Sequence, residues 1–237
     1  MKYAVKTAEL FEAGHTRAWK WLEITENPWE ILPRIREIIP LIAKELPPEL
    51  YDEREPGVFV AKSAKIYPNV YIAAPCIIGE NTEVRPGAFL RGNVLVGDNC
   101  VVGNSTEVKN AIISDNVQVP HYNYVGDSVL GYRSHMGAGS VTSNVKSDKT
   151  LVSVKVPGGP VFETGLKKFG AMIGDHVEVG CGSVLNPGTV VGKHSNIYPL
   201  SSVRGVVPEW SIFKSGKGTE TVEKRPADSA DSALAQV

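Results

Sequence analysis

The stretch Val60–Val108, VAKSAKIYPNVYIAAPCIIGENTEVRPGAFLRGNVLVGDNCVVGNSTEV, carries an aliphatic residue at every sixth position: Val60, Ile66, Ile72, Ile78, Val84, Leu90, Val96, Val102 and Val108. The same step returns at Ile173, Val179, Leu185, Val191, Ile197 and Val203. Glycine repeatedly follows the aliphatic residue, as at Gly79, Gly97, Gly103, Gly174, Gly180 and Gly192. An α-helix, turning every ~3.6 residues, would scatter these positions around its surface. A short strand followed by a tight turn, repeated, keeps them on one inward line, with glycine easing the corner. One such unit cannot bury its aliphatic residue alone, so stacked units must share a continuous core. The spacing predicts an all-β chain, a β-solenoid over residues 56–208.

Two one-residue deletions break the rhythm, between Val108 and Ile113 and between Val125 and Leu130. They bracket Pro120-His121-Tyr122-Asn123-Tyr124, a histidine flanked by aromatics. Shortened corners re-aim side chains, and such irregularities concentrate at functional sites. Asn144 to Lys168 leaves the frame; alternating Leu151–Val156 and the turn Pro157-Gly158-Gly159 predict an inserted β-hairpin over about 145–168.

Residues 1–55 read as a short helical segment. Asn27-Pro28 is an N-cap followed by proline in the first turn, and Ile31, Ile35, Ile38, Ile42 and Leu46 form one apolar stripe. Pro40 is expected to kink or divide this helix. Trp19, Trp21 and Trp29 are expected to pack against a neighbouring element. Residues 209–237 read as a polar, alanine-rich tail, partly disordered.

The formal net charge of −1 gives no long-range field selecting nucleic acid or a membrane surface. Cys76, Cys100 and Cys181 show no CxxC or metal-ligand spacing and read as reduced thiols in a cytoplasmic protein. Met1–Leu10 mixes charges with apolar residues and reads as no signal peptide, and no apolar run reaches the ~20 residues that span a bilayer.

Arg91 and Lys109 each follow an inward aliphatic residue and lie eighteen apart. On adjacent coils their backbones would be about 4.8 Å apart. Two readings stand: the side chains splay apart beside Glu107, or they form an anion site, most naturally for phosphate, to which Lys167 and Lys168 add charge. His121, between the shortened corners and beside Tyr124, is either a surface turn histidine or a general base able to take a proton from a nucleophile near pH 7. His135 is a second candidate base in the same zone.

The segments Gly103–Lys109, His121–Asp127 and Gly137–Asn144 resemble the acetyltransferase half of the bifunctional glucosamine-1-phosphate acetyltransferase/N-acetylglucosamine-1-phosphate uridyltransferases, a hexapeptide-repeat family. They resemble still more closely the archaeal-type sugar-1-phosphate nucleotidylyltransferases with amino-sugar acetyltransferase activity. The likeness runs roughly from Pro56 to Pro208. It implies a left-handed parallel β-helix with three hexads per coil, a homotrimer, and acetyl-CoA as co-substrate. It places His121 as the base that deprotonates a sugar amino group, Arg91, Lys109 and Lys168 at the sugar phosphate, and Tyr124 and Asn144 against the sugar. His135 stands where bacterial members have asparagine, which bears on sugar specificity. Ala138, Cys181 and Pro199 fall on acetyl-CoA contact positions. The C-terminal arginine of bacterial members has no match, and Lys214 or Lys217 is the expected substitute.

Other members of this fold hold zinc through histidines. His176 and His194 are eighteen apart, but two ligands are too few and no third histidine is suitably spaced, so no metal is expected. A nucleotidyltransferase needs a large α/β domain with a glycine-rich phosphate loop; residues 1–55 contain only Gly14, so no uridylyltransferase activity is expected of this chain. Two alternatives remain beside amino-sugar-phosphate N-acetylation. One is a non-catalytic sugar-phosphate or sugar-nucleotide binding subunit of a separate nucleotidyltransferase, docked through the helical segment. The other is an acyltransferase with a non-sugar acceptor.

Overall fold

A computed structural model describes residues 2–215 and 219–223. The chain folds as a parallel β-solenoid of about nine turns, as the repeat predicted, and is the left-handed β-helix that the resemblance implied. The six-residue series is its inner lining: Val60, Ile78, Val84, Leu90, Val96, Val102 and Val108 have no solvent exposure, and the second series from Ile173 to Val203 is equally buried. Strands stack in register, for example Val60 on Ile78 and Ile78 on Val96.

The prism has three faces. On one, Lys65–Ile66, Glu83–Val84, Val101–Asn104, Gln118–His121, His135–Met136, Glu178–Val179 and Asn196–Ile197 stack, with mostly polar side chains outward. On the second, Tyr71–Ile72, Phe89–Leu90, Val141–Thr142, Val184–Leu185 and Ser202–Val203 align with the first halves of Glu107–Ile113 and Tyr124–Leu130. The second halves of those two strands continue onto the third face, alongside Val58–Ala61, Cys76–Ile78, Val94–Val96, Ala171–Ile173, Thr189–Val191 and Val206–Val207. Each one-residue deletion therefore replaces a corner by one bent strand of seven residues.

The third face also turns apolar side chains outward: Ile77, Leu95, Ile112, Val129, Met172, Val190 and Val206 are all buried. The N-terminal segment covers them. The 3₁₀ helix Pro28–Arg34 and the α-helix Ile35–Ala43 lie on this face, burying Ile31, Leu32, Ile35, Ile38, Ile39 and Ile42. Trp29 packs between Phe162 of the hairpin and Phe169, with ring centroids 6.0 and 5.9 Å away. Pro40 does not divide the helix: the α-helix runs through it to Ala43, and the change of helix type falls upstream, next to Pro33. Pro40 and Arg36 are both exposed, so the carbonyl that proline leaves unbonded meets water.

Ahead of those helices, the chain runs as a strap along the corner between the third and first faces. Leu10 O accepts from Asp175 N (3.1 Å), His15 O from Asp115 N (2.9 Å), and Lys2 O from Glu209 N (3.0 Å). Arg17 donates to Asp98 Oδ1 at 2.8 Å. On this corner Asn81, Asn99, Asn116, His176 and His194 take left-handed φ between 54° and 59°, where Asn and His are tolerated best. The rings of His176 and His194 lie flat on each other, 4.7 Å apart, with Trp210 beyond; this is a ring stack, and among the described residues no group of three metal-ligating side chains converges.

The hairpin consists of Val152–Lys155 and Val161–Leu166. The solenoid does not stop where the six-residue spacing does. Ser211–Ser215 adds another parallel rung on Asn196–Ile197, with Phe213 buried, and Thr219–Glu223 returns antiparallel to it. The rest of the expected tail, and Lys217, lie outside the described residues.

Candidate active site

His121 ends the strand Gln118–His121, where the first face turns into the second. Its turn is held by a buried side chain: Asn123, 3% exposed, accepts from His121 N at 3.1 Å and donates to Gly137 O at 2.9 Å and Ser140 O at 3.2 Å. The peg ties the corner to the next coil, and the imidazole is left exposed to solvent.

The same corner brings four of the expected residues into one column. His121 O accepts from Gly139 N (3.0 Å), Ala138 O from Gly182 N (2.8 Å), and Cys181 O from Leu200 N (2.9 Å). His121, Ala138, Cys181 and Pro199 thus occupy successive coils of one edge, about 14 Å from end to end at ~4.8 Å per coil. Lys214 sits on the next rung, its ammonium 5.0 Å from the centre of the Tyr198 ring.

Across the corner from His121, the second face carries the other cluster. Arg91 and Lys109 do lie on adjacent coils, since Phe89 pairs with Glu107 and Leu90 with Val108. Each has its own carboxylate. Arg91 Nη1 is 2.6 Å from Glu107 Oε1, an exposed pair. Lys109 Nζ donates to both oxygens of buried Asp127, at 3.1 and 3.0 Å. Asp127 also accepts from Asn110 Nδ2 at 2.9 Å and from Asn144 Nδ2, and Asn144 donates to Tyr124 Oη at 3.1 Å. Burial, with Asp127 and Glu107 nearby, raises the Tyr124 phenol above its ordinary pKa and keeps it a neutral donor. Lys168 is exposed next to this network, because Phe169 N bonds Asn144 O at 2.9 Å. His135 stands apart on the first face, its Nδ1 2.8 Å from Glu178 Oε2.

Residues 72–157 match the family described as the GMPPB C-terminal domain. A bifunctional sugar-1-phosphate nucleotidylyltransferase/acetyltransferase from Sulfurisphaera tokodaii is 34% identical over 157 residues, a match covering 66% of this chain and 39% of that protein. This chain is similar to the C-terminal part of bifunctional sugar-1-phosphate enzymes. The bifunctional protein GlmU of Methanococcus aeolicus is 33% identical over 193 residues, covering 74% of this chain and 42% of that protein. The chain therefore spans about two-fifths of the length of these two relatives. Among solved structures, the acetyltransferase domain of PglB from Neisseria gonorrhoeae in complex with acetyl coenzyme A aligns at 15% identity and TM-score 0.32, covering 81% of this chain and 66% of that one.

Sequence reasoning assigned no role to Asn123 or Asp127, although both stand in the His121–Asp127 segment. Spacing did not single out Asp127: this coil is shortened, Lys109 pairs with Gly126, and Asp127 reaches the ammonium from one residue further on.

Proposed function

We propose that this chain transfers an acetyl group from acetyl-CoA to the amino group of an amino-sugar 1-phosphate such as glucosamine 1-phosphate. The observation that carries this reading is the column on one edge. The imidazole proposed as base and the positions proposed for acetyl-CoA contact occupy successive coils, on a likeness to a relative whose name includes acetyltransferase. An extended thioester-bearing arm lying along Pro199, Cys181 and Ala138 would bring its carbonyl to His121. The amine attacks that carbonyl as His121 takes its proton; the C–S bond then breaks and the thiolate leaves as CoA after protonation. A backbone N–H beside Ala138 steadies the oxyanion formed between the two steps.

The sugar sits over the second face against Tyr124 and Asn144. Arg91 is the cation most free to meet its phosphate, because an exposed pair such as Arg91–Glu107 is worth only ~0–1 kcal/mol and opens easily. Lys109 contributes field and holds Asp127, which positions Asn144. Lys168 closes the phosphate site and Lys214 meets the CoA phosphates, while His135, engaged by Glu178 on the first face, takes no part in the sugar site. No step uses a metal.

Assembly into a homotrimer belongs to this reading. Tyr71, Phe89 and Val184 are 60%, 40% and 36% exposed along the second face, a column of apolar side chains suited to another copy. A separate nucleotidyltransferase as partner would have to meet the polar outer side of the N-terminal helices, because their apolar side is buried against the solenoid.

The test is CoA release from acetyl-CoA and glucosamine 1-phosphate. His121→Ala is expected to lower kcat by about 10²–10⁴-fold with little change in thermal stability. An unchanged rate removes His121 from the chemistry. Absence of turnover in the wild type across amino-sugar 1-phosphates removes the substrate assignment.

A further inference from the structure

The inserted hairpin lies against the corner between the second and third faces, a different edge from the His121 column. Its position there is fixed by backbone contact. A Cβ on Gly188 would fall 2.8 Å from Ser153 O, and one on Gly205 only 2.6 Å from Lys155 O; both glycines have left-handed φ, near 80°. Hairpin and solenoid meet too closely there for a side chain, so what faces what across the seam is set by the fold.

Beside this seam is a cavity of about 270 Å³ lined by Lys146, Ser153 and Lys155 from the hairpin side and by Pro187, Arg204 and Gly205 from the solenoid. Three cations line it. Lys146 lies 3.5 Å from Asp148, whose side chain is 56% exposed, and it also meets Thr150 Oγ1. Arg204 Nη2 donates at 3.0 Å to Asn186 Oδ1, a neutral amide. Neither Lys155 nor Arg204 has an ion-pair partner among the described residues. Three positive charges against one exposed carboxylate repel one another, and an anion between them removes that repulsion.

We propose that this cavity binds a phosphoryl group. Arg204 offers a planar fork that suits two phosphate oxygens, and Lys155 and Lys146 supply point charges from the opposite wall. The volume is below the ~300–1,000 Å³ of pockets that enclose a whole drug-sized ligand, so the cavity takes the phosphoryl end and leaves the rest of the molecule outside. A sugar phosphate, a nucleoside diphosphate and inorganic pyrophosphate share this chemistry. The inference does not depend on acyl transfer at His121.

Calorimetric titration of the full chain with inorganic pyrophosphate, glucose 1-phosphate and ADP tests it. At least one should bind with an affinity that falls as salt rises. The double variant Lys155→Met/Arg204→Met should weaken that binding by about tenfold or more, Lys155→Met alone by less, and Arg204→Lys should keep part of it. Binding of all three probes identifies the bare phosphoryl group as what is read; binding of ADP alone identifies a nucleotide. Melting temperature checks the fold of each variant, and the exposed single change Lys155→Met keeps the test decisive if the double variant is unstable. Failure of all three probes to bind at millimolar concentration, or undiminished binding by folded Lys155→Met and double variants, overturns the proposal.

Discussion

The second and third faces both turn apolar side chains outward, and they differ in what lies over them. On the third, Ile77, Leu95, Ile112 and Val129 are sealed beneath the N-terminal helices. On the second, Tyr71, Phe89 and Val184 meet solvent, interleaved with Glu107 and Tyr124 of the candidate site. The same repeat thus makes one wall of an intramolecular core and one wall open to another molecule. What separates them is a segment of about forty residues that belongs to no repeat.

A matched pair of substitutions should break this symmetry most sharply. Ile112→Asp places a carboxylate under the helix Ile35–Ala43 with no cation to meet it, and should cost more than about 4 kcal/mol, enough to prevent folding of most of the chain. Chemical denaturation, or soluble yield if the variant cannot be purified, measures it. Survival of Ile112→Asp with wild-type stability would mean that the helices are not docked.

Asp175 probes the strap that leads into the covering segment. Its carboxylate accepts from Glu12 N and Tyr132 N, both at 2.7 Å, yet burial pushes its pKa up to about 6. The folded chain therefore holds this proton more tightly than the unfolded chain, where the ordinary value is 3.8. Its contribution favours the folded state on the acid side and is lost as pH rises from about 4 through about 6, on the order of 3 kcal/mol in all. Asp175→Asn should flatten the pH dependence of the melting temperature in that window, whatever its constant effect on stability. Equal slopes in the two proteins would place the carboxyl in water.

The smallest expected effect on stability is the companion change on the open face. Phe89→Asp should alter folding stability by no more than about 1 kcal/mol, while shifting the proposed trimer toward monomer in light scattering. A trimer that persists would move the assembly surface elsewhere.

The inner lining was legible because one period, six, survives any twist or bend of the coils. The covered outer column was equally present in the letters. Phe59, Ile77, Leu95, Ile112, Val129, Met172, Val190 and Val206 each directly precede an inward residue. It becomes visible only when hexads are grouped in threes, two coils are counted as seventeen, the inserted hairpin is left out and the last coil is counted as sixteen. The His121 corner was found from its broken rhythm, and the His121–Pro199 column from resemblance. The partners of the cations were harder. Glu107 was named beside Arg91, but Asp127 reaches Lys109 across a diagonal that depends on the bend at Asn110 and Asp127, with φ of 47° and 48°. No spacing rule encodes that bend. The extra rung at Ser211–Ser215 was missed because its inward residue, Phe213, is aromatic and lies ten residues after Val203, off the six-step frame.

The strap also sets an order of events during synthesis. Lys2 finds its partner on Glu209, and Leu10 on Asp175. At ribosomal speeds of ~5–20 residues per second, those partners emerge roughly 8–40 s after the strap does. Coils can stack as they appear, each on the one before, but the strap must wait for coils made long after it. Until then the corner between the third and first faces stays open, and its closure marks the moment at which the chain has become one cooperative unit.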